Sequence, residues 1–244
     1  MKQKVYNRIF TEACYCFVNF MPYYNHMAAS LRMMSQENQA EREQLRADCQ
    51  KDHREFDEHV WKDLQKIYDQ LFPRFLKYSF LVSACSIFEY QLKRICDLVK
   101  EEHKMPFGWD MDDSKDSALN KMRRFLGYAG VVLKDDLPRT EFPPPDFKPT
   151  EIFDEDRVIV KELWRSLGDY FMVRNCIVHN NGLIDEARSP ERLGQYAAQE
   201  KIVLDNHGQH ELLINEVFNR EACHTMGKFF DKLRSAYYSS PLPE

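Results

Sequence analysis

Residues 170–182 read YFMVRNCIVHNNG, and this stretch decides how the rest of the chain is understood. The pattern predicts the end of a helix running from about Asp154 to His179, with Asn180-Asn181-Gly182 as its stop. With Leu163 as origin and about 100° per residue, Leu167, Tyr170, Phe171, Ile177 and Val178 fall in one apolar stripe, and Arg174 falls near its centre. A guanidinium there is costly unless it is paired or hydrogen-bonded. Asn175 and His179, four residues apart, share the stripe's edge. One polar cluster thus interrupts an apolar helix at its end.

The preceding apolar helix offers a compensating group. Leu81, Cys85, Phe88, Leu92, Ile95 and Val99 keep a 3–4 spacing, which predicts an amphipathic helix from Phe75 to about His103. Glu89 lies at the edge of that arc. It reads either as a surface carboxylate paired with Lys93 or as the buried partner of Arg174. Between the two helices, Asp113 or Ser114 is expected to cap a short helix through Leu119, Met122, Leu126 and Tyr128. Five prolines in 134–150 predict an extended loop.

After the central motif, KIVLD (201–205) and ELLIN (211–215) flank NHGQ and predict a β-hairpin. A last helix is expected from about Glu216 to Tyr237. Ahead of all this, residues 1–72 read as helical, with a break at Met21-Pro22. The stretch 36–58 is almost wholly charged, a solvated middle or a partner-binding arm of one long helix. The expected organisation is an N-terminal helical extension (1–72), a four-helix bundle with a small hairpin (73–237) and a tail (238–244). The fold class is all-α.

Composition narrows the function classes. The 244 residues are 43% apolar with only 8 glycines, which disfavours low complexity and strand-and-turn architectures. A net charge of −5 excludes a globally basic nucleic-acid coat but not a local basic groove. The apolar run from Phe75 to Phe88 is interrupted by Lys77 and too short to span a bilayer. Arg8, Glu12 and Asn19 break up any signal-peptide core. Seven cysteines, an odd number, include Cys85, Cys96 and Cys176 within apolar patterns. They read as reduced core thiols, so a cytoplasmic setting without membrane contact is expected. Cys49 and His53 share a helix face near His59, but no second ligand pair accompanies them, so no metal and no cofactor are expected.

RNCIVHNNG at a helix end resembles the R-x4-H signature of HEPN-domain proteins. LVSACSIFEYQLKRI (81–95), LNKMRRFLGYAG (119–130) and the hairpin leading to NREACHTMGKFFDKL (219–233) match the same pattern. The resemblance covers 73–237 and leaves 1–72 outside. It implies an all-helical homodimer in which Arg174, Asn175 and His179 of two protomers form one composite ribonuclease site. Cleavage would proceed without metal and leave a 2′,3′-cyclic phosphate. It also implies a prokaryotic toxin or anti-phage effector, with a cognate antitoxin or defence partner; the N-terminal helices are the expected contact. A non-catalytic helical dimer that binds nucleotide, RNA or a partner is the alternative, since family members of that kind exist.

The residue types suit the chemistry. Transesterification needs a group titrating near neutrality to move a proton, and a fixed cation to grip a phosphorane. A planar guanidinium is well shaped for the second task. Spacing alone is weak: 17 arginines and 8 histidines in this length give roughly one chance instance or fewer. Arg54-x4-His59 is such a decoy, set among Glu55, Asp57 and Glu58, which would repel a phosphate. Lys121, Arg123 and Arg124 form a local basic set expected to contact RNA, or else an ordinary solvated helix face.

Overall fold

The computed structural model describes residues 2–52, 57–111, 115–129, 131, 155–206 and 208–238. The described chain is almost wholly helical, with one small antiparallel sheet. In order come α1 (Lys2–Lys51), α2 (Glu58–Lys66), a π-helical turn (Ile67–Leu71) and α3 (Phe72–Glu102). Then follow α4 (Ala118–Tyr128), α5 (Glu155–Asn180), α6 (Pro190–Gln199), β1 (Val203–Asn206), β2 (Gln209–Leu212) and α7 (Glu216–Tyr238). The expected proline-rich loop at 134–150 and the expected caps Asp113 and Ser114 lie outside the described residues.

Two compact units can be told apart. The first comprises residues 1–18, 84–172 and 221–244. Phe88 of α3 sits at its aromatic centre, with ring centroids 6.0 Å from Phe171 of α5 and 4.9 Å from Phe230 of α7. Trp164 packs on Phe229 at 5.1 Å. Ser117 caps α4 by accepting the Asn120 N–H. The start of α1 supplies part of this core. Phe10 and Ala13 are fully buried, Phe17 stacks on Phe230, and Phe10 meets Tyr237. Phe10 and Phe17, which fall within the expected N-terminal extension (1–72), thus pack against α7. Phe10, Ala13 and Phe17 of α1 are part of the filling of this first unit.

The second unit comprises 19–83 and 173–220. α1 continues through Pro22, where a break was expected. Burial of Tyr24 and Ala28 just beyond it helps offset the roughly 3 kcal/mol that an interior proline costs. The expected single long charged helix is a reversal instead. Ring contact of Tyr24 with Phe80 at 4.3 Å, a hydrogen bond from Ser35 to Asp69, and pairing of Arg42 with Glu58 set α1 antiparallel to α2 and α3. Asp57 restarts the helix by accepting the N–H groups of His59 and Val60. Pro73 lacks an N–H, and its ring would crowd the carbonyl four residues back. The π turn immediately before it gives the helical path room to continue into α3.

The hairpin is present with its strands nearer the turn than expected, pairing Val203 with Leu212 and Asn206 with Gln209. Gly208 takes φ +86° in the turn. ELLIN does not finish as a strand because Asn215 caps α7, its side chain accepting the Phe218 N–H at 2.8 Å. The Glu58–Glu102 stretch is long and apolar enough to cross a bilayer by composition. Its residues Leu81, Cys85, Phe88, Leu92 and Ile95 are fully buried, as in the core helix of a packed domain.

Candidate active site at the end of α5

The apolar stripe of α5 does not run straight. Trp164, Leu167, Tyr170 and Phe171 are buried along its middle. In the last turns the buried residues are Val173, Cys176 and Ile177, a swing of more than about 100° around the helix. Arg174 is consequently half-buried at the stripe's edge rather than at its centre, and Val178, expected inside, is exposed. Asn175 and His179 are exposed.

The swing has identifiable causes. Cys176 donates its thiol to the Leu183 carbonyl at 3.3 Å, and its own carbonyl accepts the Gly182 N–H at 3.1 Å. Asn181 and Gly182 take positive φ of 51° and 85° and turn the chain back after the helix. The Gly182 carbonyl then accepts the Leu212 N–H at 2.8 Å, joining the helix end to β2. Tyr78 of α3 donates to the Leu212 carbonyl at 2.5 Å. Arg74 donates to the Tyr78 hydroxyl at 3.2 Å and pairs with Glu211 at 2.7 Å. Nearby, Asn180 donates its amide to the Glu186 carbonyl at 2.7 Å. His210 donates its N–H to Asp185, which holds that carboxyl below the usual range. A web of polar contacts therefore anchors the helix end.

Within this setting, Arg174 Nη1 donates to Asn175 Oδ1 at 2.9 Å. Its Nε is buried and, among the described residues, has no hydrogen-bond partner. Arg174 thus donates its hydrogen bond to a neutral neighbour. Glu89 is half-buried on α3, in the first unit. Among the described residues His179 has no hydrogen-bond or ion-pair partner. The arrangement offers solvent one imidazole, one amide and a guanidinium edge on a single helix, with no acidic side chain among the described residues pairing with the cation.

The expected basic set on α4 is dispersed. Arg124 is 2% exposed and paired with Asp116, so it is a core cation and cannot meet RNA as placed. Arg123 lies over the Trp164 ring at 5.8 Å, and Lys121 is half-buried. Arg124 shares a helix face with Gly127 and Tyr128, three and four residues on, both buried. Of the decoy pair, Arg54 lies outside the described residues, as does His53. His59 opens α2. Cys85, Cys96, Cys176 and Cys223 are buried free thiols. Burial pushes Cys176 to about 11 and Cys223 to about 12, so both stay protonated and inert at neutral pH. No family model, curated protein or solved structure matches the chain. The Tyr78–Arg74–Glu211 web was missed in the sequence. Arg74 and Tyr78 stand four apart on one helix face, but their partner is 137 residues away.

Proposed function

We propose that the protein is a metal-independent endoribonuclease of HEPN type, with Arg174, Asn175 and His179 as its reacting residues. The observation that carries this reading is the Arg174–Asn175 hydrogen bond beside an exposed His179 on a helix end fixed by Gly182 and the hairpin. His179 moves the proton between the 2′-oxygen or the leaving 5′-oxygen and solvent. Arg174, half-exposed, stabilises the charge that grows on the phosphorane oxygens. Asn175 orients the guanidinium and is itself within reach of a phosphate. One chain supplies one Arg and one His. Two chains related by a two-fold axis bring two of each to one scissile phosphate, so the active species is a homodimer.

This chemistry suits a toxin or anti-phage effector held in check by a partner, with the α1–α2 reversal as the contact surface. The test is incubation of single-stranded RNA and the matching DNA with the purified protein in EDTA. RNA should be cut to 2′,3′-cyclic phosphate and 5′-hydroxyl ends and DNA left whole, because the attacking oxygen is the RNA's own. Equal cutting of both, or cutting abolished by EDTA, contradicts the proposal.

A further inference from the structure

The second unit carries a helix face that it leaves uncovered. α2 and the π turn after it contain no buried residue. Yet Val60, Leu64, Ile67, Leu71 and then Phe75 of α3 recur at the 3–4 spacing of a helical seam. Val60 is 52% exposed, Phe75 60% and Leu71 38%, while Leu64 and Ile67 are half-buried. Single exposed apolar side chains are ordinary. A continuous stripe of them about 22 Å long marks a contact surface.

α1 supplies the other wall of a groove. The polar links between the two helices, Arg42 with Glu58 and Gln65 and Ser35 with Asp69, run along one side of the pair. At about 100° per residue in two antiparallel helices, Met34 and Leu45 of α1 turn to the opposite side, as do Val60 and Leu64 of α2. Met34 and Leu45 are exposed. The charges sort in the same way. Glu37 and Glu41 lie beyond Met34 and Leu45 on the open side, and Asp63 lies beyond Val60. Arg46, Lys62 and Lys66 turn toward the polar links or away from the groove. Glu37, Glu41 and Asp63 are exposed and, among the described residues, have no basic group at ion-pair distance. Residues 36–69 carry ten acidic and six basic side chains, so most of the chain's net charge of −5 resides there. The groove thus has an apolar floor and an acidic rim on each side.

From this juxtaposition we infer that the groove takes a basic amphipathic helix of a partner protein. Its apolar anchors lie on Val60, Leu71 and Phe75, and its Lys or Arg side chains lie against Glu37, Glu41 and Asp63. Helices dock in grooves through anchors at i, i+3, i+4 and i+7, and flanking charges choose the partner. A second copy of this chain would bring its own acidic rims against these, which like-charge repulsion opposes. The inference rests on the α1–α2 reversal as a contact surface and deepens that reading by naming the partner's chemistry. Binding is read without RNA, so it stands or falls apart from cleavage.

The test is fluorescence anisotropy of three labelled peptides of about three heptads each with the full chain, beside sedimentation of the chain alone. One peptide has leucine at the a and d positions and lysine at e and g. The second has glutamate in place of that lysine, and the third has the first one's composition in scrambled order. The lysine peptide should bind saturably, one per chain, and weaken as salt is raised. The other two should bind at least about tenfold more weakly. Val60→Ser and Phe75→Ser should each weaken the lysine peptide about tenfold through a lost anchor, and the double variant Glu41→Lys, Asp63→Lys about as much through reversed charge. All four side chains are exposed, so thermal melts of these variants should match the unmutated protein. No saturable binding of the lysine peptide, equal binding of either control, or unchanged affinity in Val60→Ser overturns the inference. A homodimer that Val60→Ser dissolves overturns it as well, since a second copy then fills the groove.

Discussion

Gly182 holds φ +85°, and a Cβ there would lie 2.4 Å from the Tyr78 hydroxyl. Gly182→Ala should therefore lower the unfolding free energy by about 1–3 kcal/mol in urea titration, through backbone strain and the clash together. The same variant should lower RNA cleavage disproportionately, since it displaces the helix end that carries His179. Arg174→Ala is a cleaner probe than a buried, carboxylate-paired arginine would allow. Its hydrogen bond goes to Asn175, so no acid is stranded, and the loss of stability should stay near 1 kcal/mol. Cleavage should nonetheless fall by about 10² or more through lost charge stabilisation. Arg174→Lys, which keeps charge but loses the fork, should recover only part of it. An Arg174→Ala protein that is several kcal/mol less stable would show that this residue serves packing instead.

At the scale of elements, Arg124 and Asp116 form a pair whose cationic side is sealed in the core while the acid is 43% exposed. Asp116→Ala should cost about 1–3 kcal/mol in denaturant melts by leaving a buried cation short of a partner. Burial holds His103 below the usual histidine range. The unfolded chain then takes up a proton that the folded one resists, so stability should fall as pH drops below about 6.5. His103→Gln should flatten that slope in melts at pH 5 and pH 7.5, and an unchanged slope would reject the assignment. The helices themselves were legible, because the 3–4 spacing of residues such as Leu81, Cys85 and Phe88 leaves little choice. α6 went unread although Ser189-Pro190-Glu191 is a helix-start pattern. The reversal after α1 was hidden because charge on 36–58 says only that a face meets water. It does not say that Arg42 reaches Glu58. The α5 motif was found, but a fixed wheel misplaced Arg174 because contacts from Tyr78 and β2 redirect the last turns, and no local spacing encodes those.

For the whole molecule, the largest departure from expectation is the role of the chain's first turns. Phe10, Ala13 and Phe17 are at most 3% exposed within the first unit. Phe17→Ala should cost about 3–5 kcal/mol, and removal of residues 2–18 should abolish cooperative unfolding by calorimetry. A shortened chain that melts like the full one would restore the view of an appended extension. The central claim, that the end of α5 is a ribonuclease site, is tested most directly by the single-turnover cleavage rate of His179→Ala on single-stranded RNA in EDTA, beside its thermal melt. His179 is exposed, so the melt should match that of the unmutated protein while the rate falls by about 10²–10⁴. An unchanged rate with the fold intact, or RNA that neither protein cuts, would contradict the account.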